Sequence, residues 1–172
     1  SNGNTLGLEF RVNNYTTGTQ SRPAIALDSD GDFVISWSGS GPSSNLYEIF
    51  ARRYSAGGVA QGVEFRVNDY TTNHQDQTTV AMDDAGDFVI AWFSQYQDDP
   101  GVGGVYAKRF AANGTAQGSE FFVNGFTNSV QSRPAAAMDA DGDFAISWES
   151  YGQDSSQKGI YLKQYSADGQ AQ

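Results

Sequence analysis

The chain has 172 residues, enough for one domain with a buried core, and its 20 acidic residues outnumber its 10 lysines and arginines. The formal charge of -10 argues against a nucleic-acid partner and an anionic membrane surface. The absence of cysteine excludes disulfides, and no apolar run approaches the roughly 18 residues of a membrane helix, so we expect no membrane insertion.

The first predicted element belongs to an internal repeat. The stretch that begins Gly7-Leu-Glu-Phe-Arg-Val-Asn returns from Gly62 and again from Gly118, a period of about 55 residues. The units span about 7–61, 62–117 and 118–172. This periodicity predicts a single repeat domain over 1–172, with nothing left over for a second domain.

Each unit contains four predicted strands, and no stretch longer than a turn has a helical period. In the first unit they are Glu9–Asn13, Pro23–Leu27, Phe33–Trp37 and roughly Tyr47–Tyr54. The third strand is apolar or small on both of its faces, so we expect it to be covered on both sides. The second strand is rich in alanine, which suits a place where several sheets crowd together.

These features predict an all-β fold of three four-stranded blades, half of a β-propeller. A β-trefoil, which also has three four-stranded repeats, is the alternative. Three blades are too few to close a ring, since propellers typically have about four to eight. We therefore expect a head-to-tail homodimer with six blades, in which Glu9–Asn13 of each chain completes the partner's last blade. Otherwise the three units belong to a longer array.

The repeated pattern resembles a known group of sequences. Glu-Phe-x-Val-Asn-x-x-Thr, Gln-x-x-Pro, Asp-x-x-Gly-Asp-Phe-x-Ile-x-Trp and Gly-Val-Tyr-Ala-Lys-Arg-Phe are similar to tandem blade-like repeats of large bacterial secreted or cell-surface proteins. The middle unit departs from the pattern at Gln77 and Thr78. The resemblance implies an extracellular or cell-surface location and a binding or spacer role. It supplies no catalytic residues.

An acidic turn precedes each third strand and is the first candidate site. Calcium favours six to eight oxygen ligands, often alternating carboxylates, and two turns offer such sets: Asp28, Asp30, Asp32 and Asp139, Asp141, Asp143. The middle turn has Ala85 at the second position, and the EF-hand spacing is absent. The favoured interpretation is turn chemistry, with the first aspartate bonding backbone amides and a glycine in the left-handed region.

The loops after the third strands vary in length and composition and are the second candidate site. Aromatic, amide and carboxylate side chains suit the apolar faces and hydroxyl groups of sugars, and the loops supply Tyr96, Gln97, Asp98, Tyr151, Gln153 and Asp154. Ordinary loop composition would explain the same residues. A glycan partner is therefore a hypothesis beside a purely structural role.

Other polar and aromatic residues receive structural interpretations. Trp37 and its two copies share a face with phenylalanine and isoleucine, which favours core packing over sugar stacking. His74 has no histidine in the other units and is expected to be a solvated loop residue. Arg22 and Arg133 enter the second strands near the expected channel, where they would pair with turn aspartates of a neighbouring blade or line an anion site.

Two function classes follow from the sequence. The first is a non-enzymatic, self-associating propeller that acts as a scaffold or interaction module. The second is a lectin-like or calcium-dependent adhesion module. We expect no enzymatic activity, because a glycosidase needs two distinct catalytic carboxylates and nearly every acidic residue here is repeated or lies in a turn.

Overall fold

The computed structural model describes residues 7–42, 44–98, 102–155 and 157–172. For residues 44 and 45 it describes the backbone alone. Within these ranges the chain forms β-strands and no helix, so none of the described segments is a candidate membrane-spanning helix. The first sheet contains β1 (Gln20–Leu27), β2 (Phe33–Gly41), β3 (Ser44–Tyr54) and β4 (Phe65–Arg66). The second contains β5 (Gln75–Met82), β6 (Phe88–Gln95), β7 (Gly103–Phe110) and β8 (Phe121–Phe122). The third contains β9 (Gln131–Met138), β10 (Phe144–Tyr151) and β11 (Lys158–Tyr165).

Each sheet is an antiparallel meander whose strands lie side by side in chain order. The first strands are the innermost ones, with β5 in contact with both β1 and β9, and β5 and β9 also pack on the face of the preceding sheet. This arrangement is that of propeller blades, so the predicted all-β partial propeller is confirmed and the trefoil alternative is wrong. The third sheet has three strands among the described residues, rather than four.

The core lies between successive sheets. The middle blade is covered on both faces, since every residue from Phe88 to Trp92 is buried. One face packs with Val34 of the first blade, and the other packs with Phe144 and Ile146 of the third. The expected two-sided cover is therefore confirmed for β6. It is incomplete for β2 and β10, because each outer blade has a neighbour in this chain on one side only.

The predicted outer strand differs most from the structure. Residues 9–13 form no strand, although their copies contribute β4 and β8. Each of those short strands pairs with the sheet before it, β4 with β3 and β8 with β7. Among the described residues no sheet precedes 9–13, so this segment pairs with no strand there. The other bounds are close to prediction, although β2 continues to Gly41, into the expected first loop.

Candidate functional site

The sheets have two distinct ends. At the turn end lie the three acidic hairpin turns, which join β1 to β2, β5 to β6 and β9 to β10. At the loop end the innermost strands begin, beside the loops that join β6 to β7 and β10 to β11: the amide of Gln95 donates to the carbonyl of His74, and Tyr151 likewise to Val130. A site at either end can therefore draw on all three blades.

At the turn end, the leading aspartates bond the backbone of their own turns. Asp28 Oδ1 accepts hydrogen bonds from the amides of Asp30 and Asp32 at 3.0 and 2.9 Å. The same pair of bonds recurs at Asp83 and Asp139. Gly31 adopts φ +88°, which favours glycine. The interpretation as turn chemistry is confirmed for these leading aspartates.

The last aspartate of each turn ties the hairpin to the next turn of its blade. Asp32 Oδ1 accepts from the amide of Ala56 at 2.8 Å, and Asp87 and Asp143 make the equivalent bonds. Within the described ranges, no three acidic or histidine side chains are grouped so as to hold a metal ion. Calcium binding by the aspartates of the first and third turns stays a prediction.

The tryptophans are buried, as predicted. Trp37, Trp92 and Trp148 are exposed by no more than 5%. The indole nitrogens of the first two donate to the side-chain oxygens of Gln20 and Gln75, at 3.0 and 3.1 Å. In the third blade the indole nitrogen of Trp148 lacks such a partner among the described residues. Core packing therefore accounts for all three rings.

Each innermost strand has a bulge near its start, at the same position of the repeat. The register shifts between Ser21 and Ala24, and at the corresponding places in β5 and β9. Within these bulges Arg22, Gln77 and Arg133 adopt φ values of 53°, 57° and 53°. Positive φ is uncommon for residues other than glycine and concentrates at functional sites. The bulges place three long polar side chains at equivalent points of the innermost strands.

These residues and two carboxylates form a connected group that we call the polar rim: Arg22, Asp76, Gln77, Arg133 and Glu149. Arg22 forms an ion pair with Asp76 of the next blade. Gln77 accepts a hydrogen bond from the amide of Arg133 at 2.7 Å, which links the second blade to the third. The rim therefore joins the innermost strands of all three blades at the loop end.

Glu149 completes the rim within the third blade. Its carboxylate accepts from Arg133 Nη1 at 2.9 Å and from Lys158 Nζ at 2.8 Å. Hydrogen bonds from Lys158 and Arg133 lower the pKa of Glu149, so the group is held ionised near neutral pH. The predicted pairing of the arginines with turn aspartates is wrong, because the turns lie at the opposite end of the strands.

The rim offers alternating charges to solvent. The side chains of Arg22 and Arg133 are 52% and 66% exposed, whereas those of Asp76 and Glu149 are 15% and 22% exposed. Guanidinium groups donate, and the carboxylates and the Gln77 amide accept. Such a mixture can hydrogen-bond the hydroxyl groups of a sugar.

The loop between β6 and β7 holds itself in place. The hydroxyl of Ser94 donates to Gln97 Oε1 at 2.6 Å, and Gln97 Nε2 donates to Glu120. Asp98 Oδ2 lies 3.0 Å from where a Cβ on Gly104 would be, so its carboxylate turns back over the start of β7. Tyr96 is 43% exposed and has φ 62°. Among the residues of this loop that the structure describes, Tyr96 is the exposed one.

The loop between β10 and β11 repeats this construction. The hydroxyl of Ser150 donates to Gln153 Oε1 at 2.8 Å, and Asp154 Oδ2 lies 3.2 Å from a Cβ built on Gly159. Tyr151 is 49% exposed. Of the six predicted ligand residues, Tyr96, Tyr151 and Asp154 are exposed, whereas Gln97, Asp98 and Gln153 are partly covered.

His74 is not the solvated loop residue that was expected. Its Nδ1 accepts from the amide of Tyr47 at 3.1 Å, and its ring lies edge-on against the Tyr47 ring with centroids 5.3 Å apart. The histidine thus anchors the loop before β5 to β3 of the first blade. Comparison of the repeats could not predict this contact, because the other units have no histidine.

No protein-family model and no curated protein matches the sequence. Solved structures do match its fold. A Hadza microbial sialidase is similar with a TM-score of 0.60 and 11% identity over 88% of this chain and 36% of that one. A protein of unknown function from Dyadobacter fermentans has a TM-score of 0.59 and 12% identity over 89% of this chain and 39% of its own.

A third similar structure is the GH43 endo-arabinanase from Bacillus licheniformis, with a TM-score of 0.53 and 12% identity over 98% of this chain and 61% of that chain. This chain spans less than two thirds of each of these proteins. At such low identity the similarity establishes the fold alone. The whole proteins' activities do not transfer with it.

The expectation that the chain is not an enzyme is contradicted by these similarities. Several structures with the same fold are glycoside hydrolases, among them the endo-arabinanase. Repeated acidic turns were a poor reason to exclude that class, because the turns lie at one end and leave Asp76 and Glu149 at the other. Asp76 and Glu149 also differ from their counterparts in the other two units.

Sequence reasoning identified Arg22 and Arg133 but missed Asp76, Gln77 and Glu149. The available signal was the departure of the middle unit from the repeat, since Asp76 and Gln77 stand where the other units have serine and arginine. That departure was a signal for two of the three missed residues.

Proposed function

We propose that this chain is a carbohydrate-binding β-propeller module and that the sugar binds at the loop end, on the polar rim. The observation that carries the proposal is the left-handed φ of Arg22, Gln77 and Arg133 at one repeat position. Left-handed backbone at bulky residues costs free energy, and residues in this conformation concentrate at functional sites.

The chemistry of the rim supports a sugar as ligand. Exposed guanidinium groups and mostly covered carboxylates provide donors and acceptors within one connected group. The exposed rings of Tyr96 and Tyr151 lie at the same end, and aromatic rings stack on the apolar faces of sugars. Fold similarity to a sialidase and to glycoside hydrolases adds support from a different direction.

Titration calorimetry with soluble arabinan, xylan and sialylated oligosaccharides tests the proposal. The informative variant is Arg22→Gln with Arg133→Gln, because the middle unit already has Gln77 at this position and the backbone tolerates it. We expect this double variant to bind the carbohydrate at least about tenfold more weakly, which corresponds to about 1.4 kcal/mol of binding free energy. Tyr96→Ala with Tyr151→Ala should weaken it too.

A matched control changes charges at the other end. Asp30→Asn with Asp141→Asn removes two exposed carboxylates at the turn end and should leave carbohydrate affinity unchanged. The proposal fails if no carbohydrate binds, or if the turn-end control weakens binding as much as the rim variant does.

Hydrolysis has its own assay. Asp76 and Glu149 are the carboxylates that the rim presents to a glycosidic bond, and glycosidases use a pair of such groups. Reducing-sugar release from the bound polysaccharide measures cleavage, and Asp76→Asn and Glu149→Gln should abolish any release that the native chain produces. Release that survives both changes would place the chemistry elsewhere.

We also propose that the chain acts in an extracellular or cell-surface setting in a bacterium, as the resemblance of its repeats implies, and that it self-associates into a six-bladed homodimeric ring. The incomplete cover of the outer blades supports self-association. Light scattering on the purified chain measures it: a monodisperse species near 18.5 kDa would overturn the dimer.

A further inference from the structure

We propose that residues 9–13 of one copy form the missing fourth strand of the third blade of a second copy, and that Glu9 fastens this strand to the partner's backbone. The inference rests on the proposed self-association and specifies the contact that closes the ring. Its basis is that the chain already contains two examples of the same junction, made by β4 and by β8.

The segment is already positioned as an outer strand. Phe10 packs against Tyr54 with ring centroids 5.4 Å apart, as Phe65 packs against Phe110 and Phe121 against Tyr165, both at 5.5 Å. The Asn13 side chain donates to the carbonyl of Tyr15 at 2.8 Å, as Asn68 and Asn124 do to their counterparts. Segment 9–13 therefore has the contacts of β4 and β8 with the following blade, and lacks only a sheet of its own.

The edge that it would join is open. In the first two blades the third strand carries Ile49 and Val105, which are fully buried in the cores between blades, whereas Ile160 at the same position of β11 is 76% exposed. Leu162 is 59% exposed where its counterparts, Ala51 and Ala107, are fully buried. Exposed apolar residues on an unpaired strand edge favour the addition of a strand.

The register follows from the existing ladders. Phe65 pairs with Ala51, and Phe121 pairs with Ala107. Phe10 would accordingly pair with Leu162 of the second copy. Asn68 Oδ1 and Asn124 Oδ1 accept from the amides of Ile49 and Val105 at 2.8 and 2.7 Å. Asn13 would take the amide of Ile160 in the same way.

Glu9 supplies the fastening. Glu64 accepts from the amides of Asn14 and Tyr15 at 2.6 and 3.1 Å, and Glu120 accepts from those of Asp69 and Tyr70 at 2.6 and 3.2 Å. Each glutamate thus joins an outer strand to the loop of the preceding blade. Glu9 occupies the same repeat position and is exposed. The corresponding donors in a second copy are the amides of Gly125 and Phe126.

A cysteine pair tests the register directly, since the chain has no cysteine of its own. Phe10→Cys with Leu162→Cys should yield a covalent dimer on mild oxidation, seen without reductant. Ala51→Cys with Phe65→Cys provides the matched control. That pair is adjacent within one chain, so its disulfide should form without producing a dimer. Glu9→Gln should weaken the dimer at least about threefold by analytical ultracentrifugation.

The outcomes separate the two proposals. A covalent dimer, absent from either single-cysteine variant, supports the strand addition. A native dimer whose cysteines do not cross-link while the control pair does would overturn it and leave self-association standing. A native monomer that forms no cross-link would overturn both, and a ladder of larger covalent species would overturn the closed pairing.

Discussion

Arg22 and Asp76 form an ion pair that joins the innermost strands of the first two blades at the loop end. Asp76 is the more covered of the two, with 15% of its side chain exposed, and its Oδ1 also accepts the amide of Gln77 at 2.8 Å. The pair thus connects a strained bulge in one blade with the neighbouring blade.

Asp76→Asn removes the charge and keeps an oxygen for the Gln77 amide. We expect a loss of about 1 kcal/mol in unfolding free energy, near the upper limit for partly exposed pairs. Urea unfolding measures it, and a double-mutant cycle with Arg22→Gln isolates the coupling. Additive effects of the two changes would show that the ion pair contributes nothing to stability.

The leading aspartate of the middle turn is expected to contribute more. Asp83 is 8% exposed and accepts two backbone amides, so Asp83→Ala leaves two partly buried hydrogen bonds without their acceptor. We expect a loss of about 1–2 kcal/mol in unfolding free energy. The adjacent, exposed Asp84 is the control, and Asp84→Ala should stay within about 0.5 kcal/mol of the native chain. Equal effects would contradict the turn role.

Calcium binding has a separate measurement. If the aspartates of the first and third turns bind the ion, added calcium raises the melting temperature. Asp30→Asn with Asp141→Asn should abolish that rise while leaving Asp28 and Asp139 to hold their turns. No heat and no shift in melting temperature would leave these aspartates with the turn role alone.

The hairpin turns could be predicted because their chemistry is local. The sequence from Asp28 to Asp32 predicts a glycine in the left-handed region. It also predicts an aspartate that accepts hydrogen bonds from the amides two and four residues ahead. Burial of Trp37 was equally readable from the apolar face it shares. Local bonding and strand alternation therefore accounted for the blades and for their number in this chain.

The rim and the outer strand could not be predicted in the same way. The pairing of Arg22 depends on which blade packs beside it. Its positive φ arises from a bulge, and no residue type in the sequence predicts that bulge. Residues 9–13 have a strand-like sequence, but a strand exists only when an edge accepts it. Both features are decided by neighbours distant in the chain.

Glu48 makes stability depend on pH. Burial raises the pKa of this carboxyl above its ordinary value of 4.5, although a hydrogen bond from Asn68 and the charge of Arg66 oppose the shift. The native state then holds the proton to higher pH than the unfolded chain does. The resulting stabilisation is present below pH 4.5 and is lost as pH rises through the native pKa.

Glu48→Gln retains an acceptor for Asn68 and removes the titration. We expect the variant to gain stability relative to the native chain as pH rises from 4.5 to 7. Urea midpoints across that range measure the difference, with the exposed Asp84→Asn as a control for loss of one charge. A constant difference between variant and native chain would contradict the role of Glu48.

Tyr165 has a buried hydroxyl without a hydrogen-bond partner among the described residues. Burial raises the pKa of Tyr165 to about 12, and the equivalent residue of the middle blade is Phe110. Tyr165→Phe removes an unsatisfied polar group, so we expect a gain of about 1 kcal/mol. The native chain loses stability between pH 10 and 12, because its Tyr165 phenol ionises at lower pH in the unfolded state than in the folded state. The variant has no such phenol and should lose less stability over this range. An unchanged alkaline midpoint would contradict this.

The ring-closing junction lacks one contact that the internal junctions have. Arg53 and Arg109 donate to backbone carbonyls in the turns of the following blades, those of Ala112 and Asp168. The third blade has Gln164 at the corresponding position. If a second copy follows the third blade, a guanidinium at this position would lie against the turn between β3 and β4 of that copy.

Gln164→Arg should therefore tighten the proposed dimer. One charge-assisted hydrogen bond at a partly exposed site contributes about 1 kcal/mol, equivalent to roughly a fivefold lower dissociation constant. Gln157→Arg adds the same charge in the loop between β10 and β11, at the other end of the sheet, and controls for weaker repulsion between two chains of charge -10. Ultracentrifugation compares the two. Equal tightening by both would assign the gain to net charge, whereas tightening by Gln164→Arg alone would locate the interface at the edge where residues 9–13 are expected to pair.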